Sequence, residues 1–369
     1  MLVGAGAVML LILFVVLATT SRSADTDGPA SDLGSGSPTD PLREGIGWPA
    51  APVRDYPETF PGLGAAPDPS ASLDGRAVFL SMLVAQAQAP VTDFVSWRYR
   101  DPRQLAEEFP AGDLRRTAID YRSRRFFTEK VEVDAAGRQR GIIFGRCIDG
   151  ADYTYGFFTK DWRPAVTRGT GIDLCASRFK PNQILANSGS GDGISPGGLT
   201  RDQARAFVSY LDGIPGLITA SKPRLVEGTD GRRYLQLDVR LVPQPQVSPG
   251  SHTEDVVPLN RRIGTGFLQA AFAQTGLDWR TYPFSIDLGA TEGRTMRYYL
   301  EPSTLLPAFA VMVNATPLTE QGTPTGDEWF VATTDLFEYR FPSHLEAIRP
   351  DSPPVLPYRP WPFERPTLN

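Results

Sequence analysis

Few residues of this chain have the type and spacing that acid–base chemistry requires. Glu107 and Glu108 are adjacent, and Asp149 and Asp152 form a second pair of carboxylates, the groups that glycoside hydrolysis uses. Closeness along the chain does not place two carboxylates at a working distance in space. We therefore interpret both pairs as solvated loop charges.

Nucleophilic and metal chemistry have no better candidates. Gly189-Ser190-Gly191 lacks the strand-to-helix context of a nucleophile elbow, and no convincing histidine partner follows it. His252 and His344 are the only histidines, and neither has metal-ligand spacing to a cysteine. We predict that the chain is not an enzyme and that it has no catalytic residue, metal site or cofactor.

Two cysteines, Cys147 and Cys175, lie in segments with strand-like neighbours. We favour a disulfide between them, which would indicate an oxidising compartment and would stabilise the fold by about 3–4 kcal/mol. The alternative is a pair of buried free thiols that act as small hydrophobic side chains.

A stripe of apolar residues is the best candidate for a ligand-binding surface. Thr200-Arg201-Asp202-Gln203 matches a capping box, which predicts a helix from there to about Asp212. The helix and the segment after it supply candidates for the lining of an apolar cavity: Phe207, Val208, Leu211, Ile214, Leu217 and Ile218. The alternative is ordinary core packing between a helix and a sheet.

Charge excludes one class of partner. The net charge is −5 and the sequence pI is about 5.3, so we predict no binding to nucleic acid. The densest basic cluster comprises Arg115, Arg116, Arg122, Arg124 and Arg125. It is either a solvated strand face or a surface that meets anionic lipid headgroups.

The N-terminal segment indicates a membrane. No side chain from Leu2 to Ser21 carries a charge, and a helix of that length can cross a hydrocarbon core of about 30 Å. A cleaved signal peptide is the alternative, but the basic n-region is nearly absent. We favour a retained single-pass anchor. Arg22 alone would place the main domain in the cytoplasm, whereas the cysteine pair favours an extracytoplasmic position.

The chain divides into four predicted regions. Residues 1–21 are the anchor, 22–72 a disordered linker rich in Pro, Gly and Ser, 73–349 a β-rich domain, and 350–369 a Pro-rich tail. Ser72 or Asp74 can cap a first helix that runs to about Ala89. Strands are predicted at 92–100, 117–134, 141–146, 152–158, 224–227, 233–242, 282–288, 295–300, 308–313 and 328–339, with a further helix at 266–274.

Two segments near the C-terminus carry a family resemblance. The segment from Met296 to Pro307 (MRYYLEPSTLLP) resembles the strand, acidic-Pro turn and Thr-Leu-Leu-Pro motif of the LolA-like lipoprotein-carrier superfamily, which includes LprG-like (LppX-like) lipoproteins. The segment from Thr333 to Pro342 (TTDLFEYRFP) is similar to that family's closing strand. The resemblance implies an α+β fold, in which a curved antiparallel half-barrel wraps a few helices and its apolar concave face shelters acyl chains.

These observations lead to one functional prediction and one alternative. We predict a non-catalytic, membrane-anchored extracytoplasmic protein that binds a membrane lipid, a lipidated molecule or another amphiphile. The alternative is an envelope scaffold or signalling protein that binds a protein partner through the curved sheet.

Overall fold

The computed structural model describes residues 52–63, 68–99, 112–123, 125–133, 145–148, 151–155, 162–164, 196–241, 271–277, 293–320, 323–347, 349 and 361–363. The predicted membrane anchor, residues 1–21, lies outside these ranges. Within them, no helix is both long enough and apolar enough to span a bilayer.

A short 3-10 helix at Ser70–Ser72 precedes the first α-helix, α1, which covers Gly75–Gln88. The Asp74 carboxylate, one of the two predicted caps, caps α1 by accepting a hydrogen bond from the Arg76 backbone N–H. Ala89 is extended and Pro90 follows it, which ends the helix. Apolar residues occur all around α1, a pattern typical of a helix that is buried on every side.

Six strands follow α1. They are β1 (Val91–Tyr99), β2 (Gly112–Asp120), β3 (Arg125–Val133), β4 (Gly145–Ile148), β5 (Ala151–Tyr155) and β6 (Trp162–Pro164). The single strand predicted at 117–134 is wrong, because a turn at 121–123 divides it into β2 and β3. The Asp120 carboxylate accepts hydrogen bonds from the backbone N–H groups of Arg122 and Ser123, which fixes this turn.

The second half begins with helix α2 (Arg201–Gly213). It continues with β7 (Ile218–Ala220), β8 (Arg224–Glu227), β9 (Arg233–Leu241), β10 (Gly293–Leu300), β11 (Pro307–Glu320) and β12 (Thr323–Arg340). The predicted strand at 282–288 lies outside the described residues, and of the predicted helix at 266–274 residues 271–273 are described and helical.

All described strands form one open antiparallel sheet, in the order β6-β5-β4-β3-β2-β1-β12-β11-β10-β9-β7, with β8 also paired to β9. Two meanders meet where β1 pairs with β12, with Asp93 opposite Arg340. The α+β class and the antiparallel sheet are thus confirmed, whereas the curvature stays a prediction.

The two faces of the sheet have different covers. On the helix face, Phe94, Leu237, Tyr298, Ala310 and Phe337 belong to one apolar cluster with residues of α1 and α2. On the opposite face, which we call the tail face, Tyr234, Tyr299 and Phe309 belong to a second cluster that includes Trp361 and Phe363 of the tail. Alternate residues of β1 and of β9 to β12 therefore supply two separate cores.

The hairpin from β10 to β11 contains the segment that resembles the carrier family. The Glu301 N–H donates to the Leu306 carbonyl, and the Leu305 N–H donates to the Glu301 carbonyl. Leu305 has φ 59°, a left-handed backbone conformation that residues other than glycine rarely adopt, and its side chain is fully buried. Burial of this leucine offsets the conformational strain of the turn.

The predicted disulfide has no support in the structure. Cys147 lies on β4, paired with Thr128 of β3 and Asp152 of β5, and Cys175 lies outside the described residues.

Candidate functional site

The capping box positions the candidate binding helix as predicted. The Gln203 N–H donates to Thr200 Oγ1 at 3.3 Å, and the Thr200 N–H donates to Gln203 Oε1 at 3.0 Å. These two bonds satisfy donors that a helix start leaves unpaired, and they fix the residue at which α2 begins. Phe207, Val208 and Leu211 are consequently buried against the rest of the helix-face cluster.

The chain after α2 turns back into the sheet and brings in the other candidates. Ile214 ends α2, and Gly216, at φ +71°, allows the reversal that leads to β7. Leu217 and Ile218 then enter the same cluster, with Ile218 opposite Leu241 of β9. All six predicted residues, Phe207, Val208, Leu211, Ile214, Leu217 and Ile218, thus lie in one apolar cluster.

Helix α1 presents one side to the sheet. The Phe79 ring lies 5.8 Å from the Tyr298 ring on β10, between ring centroids. Gln86 is seven residues further along α1, which places it about 20° from Phe79 around the helix axis. The Gln86 side chain therefore lies on the sheet-facing side of the helix.

Two buried polar atoms on α1 stand out against this apolar surrounding. Gln86 Oε1 and Ser81 Oγ each have no hydrogen-bond partner among the described residues, and both residues are buried. The five-residue spacing separates the two side chains by about 140° around α1. A buried polar atom without a partner costs about 1–3 kcal/mol, so each is a place where a ligand or a water would gain a hydrogen bond.

The carboxylate of Asp212, near the C-terminal end of α2, is buried with its side chain 7% exposed. Arg76 of α1 donates from Nε to Asp212 Oδ1 at 2.9 Å and from Nη2 to the Asp212 carbonyl at 2.9 Å. The same guanidinium donates from Nη1 to the Ile218 carbonyl at 2.6 Å. Arg76 thereby joins α1, the C-terminus of α2 and the start of β7 through one planar group.

Residues 52–63 pack on the other side of Asp212, although the linker was predicted to be disordered to Ser72. Arg54 Nη1 lies 2.6 Å from Asp212 Oδ2, and the Arg54 N–H donates to Ser209 Oγ at 2.8 Å. Arg205 of α2 forms an ion pair with Asp55. Tyr56, Phe60 and Leu63 pack on the helix-face cluster, so this end of the predicted linker is part of the domain.

Tyr56 gives this docked segment a measurable signature. Its hydroxyl lies 3.4 Å from Ser209 Oγ and 3.3 Å from Asp212 Oδ2, and burial raises the pKa of Tyr56 from 10.0 to about 12. The folded form therefore binds the proton more tightly, so stability from this group is complete below pH 10 and is lost as the pH rises towards 12.

We expect tyrosinate absorbance at 295 nm to show one transition near pH 12 that the Tyr56→Phe chain lacks. The Tyr56→Phe chain is the matched control, since it keeps the ring and removes the titrating group. If the transition that Tyr56→Phe removes is instead centred near pH 10, the result contradicts the docked position of this side chain.

Asp212, Arg76, Ser81 and Gln86 were not among the predicted site residues. A carboxylate in the last turn of a helix opposes the helix dipole, which is a signal that a cation must lie beside it. Polar Ser81 and Gln86 on a helix that is otherwise apolar were a second signal, since buried polar residues need partners.

The basic cluster does not form one surface. Arg115 and Arg116 are consecutive on β2, so their side chains lie on opposite faces of the sheet. Arg116 pairs with Asp93 through bonds of 2.9 and 2.7 Å, and its guanidinium lies 5.5 Å from the Phe127 ring centroid. Arg125 donates to the Leu345 carbonyl at 3.2 Å. Arg124 lies outside the described residues.

Residues considered for catalysis lie apart or outside the described ranges. Glu107, Glu108, Asp149, Ser190 and His252 lie outside them, and only the backbone of Asp152 is described, on β5. His344 is exposed beyond β12, where its Nδ1 lies 3.2 Å from Ser343 Oγ. In the described part of the chain no His, Cys, Asp and Glu side chains cluster as a metal site would require.

Comparison with known proteins leaves the family open. No family model matches the chain, and no curated protein matches it. Among solved structures, the crystal structure of the LolA superfamily protein NE2245 from Nitrosomonas europaea aligns over 73% of this chain and 92% of its own, at 9% sequence identity and a TM-score of 0.18. A TM-score of 0.18 does not establish a shared fold.

Proposed function

We propose that this chain is a membrane-anchored, extracytoplasmic binding protein that takes up a lipid, a lipidated molecule or another amphiphile between the helices and the helix face of the sheet. It has no catalytic step. The anchor proposal rests on the uncharged Leu2–Ser21 segment, and the binding proposal rests on the cluster beneath α1 and α2.

The observation that carries the proposal is Gln86 Oε1, a buried oxygen atom on the sheet-facing side of α1 that has no hydrogen-bond partner among the described residues. An apolar cluster alone is what any core supplies, but Gln86 Oε1 adds a buried hydrogen-bond acceptor to this one. A ligand with acyl chains and a hydroxyl or amide group matches that combination, because the chains pack on apolar side chains and the polar group donates a hydrogen bond.

The site residues also favour an apolar occupant. Phe207, Val208 and Leu211 lie beside α1 without any charged side chain of their own helix in the stripe. Each methylene removed from water contributes about 0.8 kcal/mol, so one acyl chain supplies a large share of the binding free energy. The resemblance of Met296–Pro307 to the lipoprotein-carrier superfamily supports the same class of ligand.

The test uses the full chain, purified in a short-chain detergent and extracted with chloroform and methanol. We expect mass spectrometry of the extract to find lipid at close to one molecule per chain, and we expect the lipid-free chain to bind 11-(dansylamino)undecanoic acid. Leu211→Trp fills the proposed site and should reduce both signals at least tenfold. Ala206→Trp, a half-buried position on the same helix, is the matched control.

The proposal fails if the extract holds no lipid and the fluorescent acid does not bind. It also fails if Leu211→Trp and Ala206→Trp give chains that are folded by circular dichroism and that bind equally well.

A second prediction separates the two polar atoms. Gln86→Leu and Ser81→Ala each remove an unpartnered buried oxygen, so we expect either change to stabilise the empty chain by about 1 kcal/mol in urea denaturation. On the proposed mode of binding, Gln86→Leu should weaken a monoacylglycerol about tenfold and leave its methyl-ester analogue unaffected, because the ester lacks the donor hydroxyls. Ser81→Ala, on another side of α1, is the control.

If both variants are less stable than the wild type in the absence of ligand, the two oxygen atoms already have hydrogen-bond partners. That result would remove the main support for a bound polar group. Equal weakening of both ligands by Gln86→Leu would instead show a packing effect.

The alternative, an envelope scaffold that binds protein through the sheet, requires an exposed apolar patch. The large apolar side chains that are exposed in the described ranges are Val53 and Leu277, and neither lies on a strand. The described sheet surface therefore shows no exposed apolar patch that would favour this function over the binding of an amphiphile.

A further inference from the structure

The tail face carries an aromatic site that the chain fills with its own C-terminal segment. Phe363 stacks on Tyr299 of β10, with 3.6 Å between ring centroids and 9° between ring planes. The Tyr234 ring of β9 meets the same phenylalanine edge-on at 5.2 Å. Phe363 therefore sits between two neighbouring strands, on rings that both strands present to one face.

The other aromatic residue of the segment uses a third strand. Trp361 lies edge-on to Phe309 of β11 at 5.5 Å and to Tyr299 at 5.9 Å. Tyr234, Tyr299 and Phe309 are all buried, and the last two lie on paired strands. Three adjacent strands thus form one aromatic platform that receives both rings.

The residue between the two rings is held by the backbone. Pro362 is buried, and its carbonyl accepts a hydrogen bond of 2.8 Å from the Thr229 N–H. A Cβ added to Gly228 would lie 3.1 Å from Pro362 Cβ, so the glycine leaves room for the proline. The turn between β8 and β9 therefore closes one side of the site.

The segment contacts the sheet as a bound peptide contacts a domain. Residues 350–360 separate it from Arg349, the last described residue before it, and include five prolines. Extended segments that contain proline commonly dock in grooves lined by aromatic side chains. Aromatic pairs of this kind contribute about 0.5–1.5 kcal/mol each beyond the area that they bury.

We propose that the platform of Tyr234, Tyr299 and Phe309 is a recognition site for an extended peptide with an aromatic–proline–aromatic triplet, which the chain's own Trp361-Pro362-Phe363 occupies until a partner peptide displaces it. This site is on the opposite face from the proposed amphiphile site and does not depend on it. It takes a protein segment as ligand, and the ligand's chemistry is that of the triplet seated there.

One feature of the bound segment favours exchange. Trp361 Nε1 is buried without a hydrogen-bond partner in the described part of the chain. The internal tail therefore forgoes one hydrogen bond, which a partner peptide with a better-placed flanking group could form. A tether this short holds the tail at an effective concentration of about 1 mM, so a free peptide at a lower concentration displaces it only if its intrinsic affinity for the platform is correspondingly higher.

The test uses the full chain and a fluorescein-labelled peptide that corresponds to residues 355–367. The double variant Trp361→Ala/Phe363→Ala vacates the platform, and we expect it to bind the peptide with a fluorescence anisotropy change. The wild-type chain should bind at least 100-fold more weakly, because its own tail competes. A peptide with alanine at both aromatic positions should not bind, and Tyr299→Ala added to the double variant should abolish binding.

If the double variant does not fold, a second experiment tests the same proposal. A protease site placed within residues 350–360 of the full chain allows the tail to be cut after folding. We expect the released fragment to dissociate on dilution and to rebind when added back. A concentration-dependent dimer of the uncut chain would identify the tail of a second copy as a ligand and would support the site.

Three results would overturn the proposal: a folded double variant that does not bind the peptide, a wild-type chain that binds it as tightly as the double variant, or a cut tail that never leaves. The last result would make the segment a fixed part of the core.

Discussion

The Gly75→Ala chain should be less stable than the wild type by about 3 kcal/mol, although alanine favours helix over glycine by up to about 1 kcal/mol. An added Cβ at Gly75 would overlap the Ser221 carbonyl oxygen and would lie 2.8 Å from its carbon and 3.3 Å from Leu237 Cδ1. The first residue of α1 therefore packs directly against backbone.

That backbone cannot easily move aside. The Ser221 N–H donates to the Asp238 carbonyl at 2.8 Å, and the Asp238 N–H donates to Ser221 Oγ at 3.0 Å. Either α1 shifts along the sheet or these two bonds break. Urea denaturation measures the loss, and Gly213→Ala at the exposed end of α2 is the matched control, which should be neutral or stabilising. Equal stability of Gly75→Ala and wild type would show that α1 does not pack on Ser221.

The Asp212→Ala chain should lose about 2–3 kcal/mol. The change leaves the Arg76 guanidinium, 31% exposed, without the carboxylate that neutralises it, while the side chain of Asp212 is 7% exposed. Removal of one partner of a buried pair is strongly destabilising because the remaining charge is left uncompensated, and the partial exposure of Arg76 moderates the loss. Two further contacts, from Arg54 and Tyr56, disappear with the same substitution.

A local readout identifies the cause. Residues 52–63 should become sensitive to proteolysis in Asp212→Ala at a urea concentration that leaves the sheet folded. Asp202→Ala is the matched control, because that carboxylate is on the same helix, is 92% exposed and pairs with Arg205 three residues further along. If both variants resist protease equally, Asp212 does not hold the N-terminal segment.

Much of the fold follows from local sequence. The capping residues Asp74 and Thr200 fix the starts of both helices. Alternation of side chains predicts β1, β8, β9, β10 and the end of β12 to within a few residues, but not the full length of β11 or the start of β12. These features depend on near neighbours in the chain. The turn at 121–123 was missed because its signal is a single carboxylate, Asp120, rather than a glycine or proline pair.

The site depends on residues that are distant in sequence, and its composition was predicted only in part. The apolar stripe of α2 was visible because its residues repeat with the helical period. Asp212 meets Arg54 and Arg76, which lie 158 and 136 residues earlier, and no local pattern predicts such a contact. The same reason applies to Trp361 and Phe363: an extended tail was predicted there, but not the packing of both rings against strands far earlier in the chain.

The pairing of β1 with β12 has a consequence for biosynthesis. Asp93 and Arg340 face each other across about 250 residues of chain, so the central seam of the sheet closes only after nearly all of the polypeptide has left the ribosome. Until then the long edge of β1 exposes unpaired backbone groups, which invite pairing with other chains. Such distant contacts also slow folding. We expect the nascent chain to need a chaperone on that edge for most of its translation.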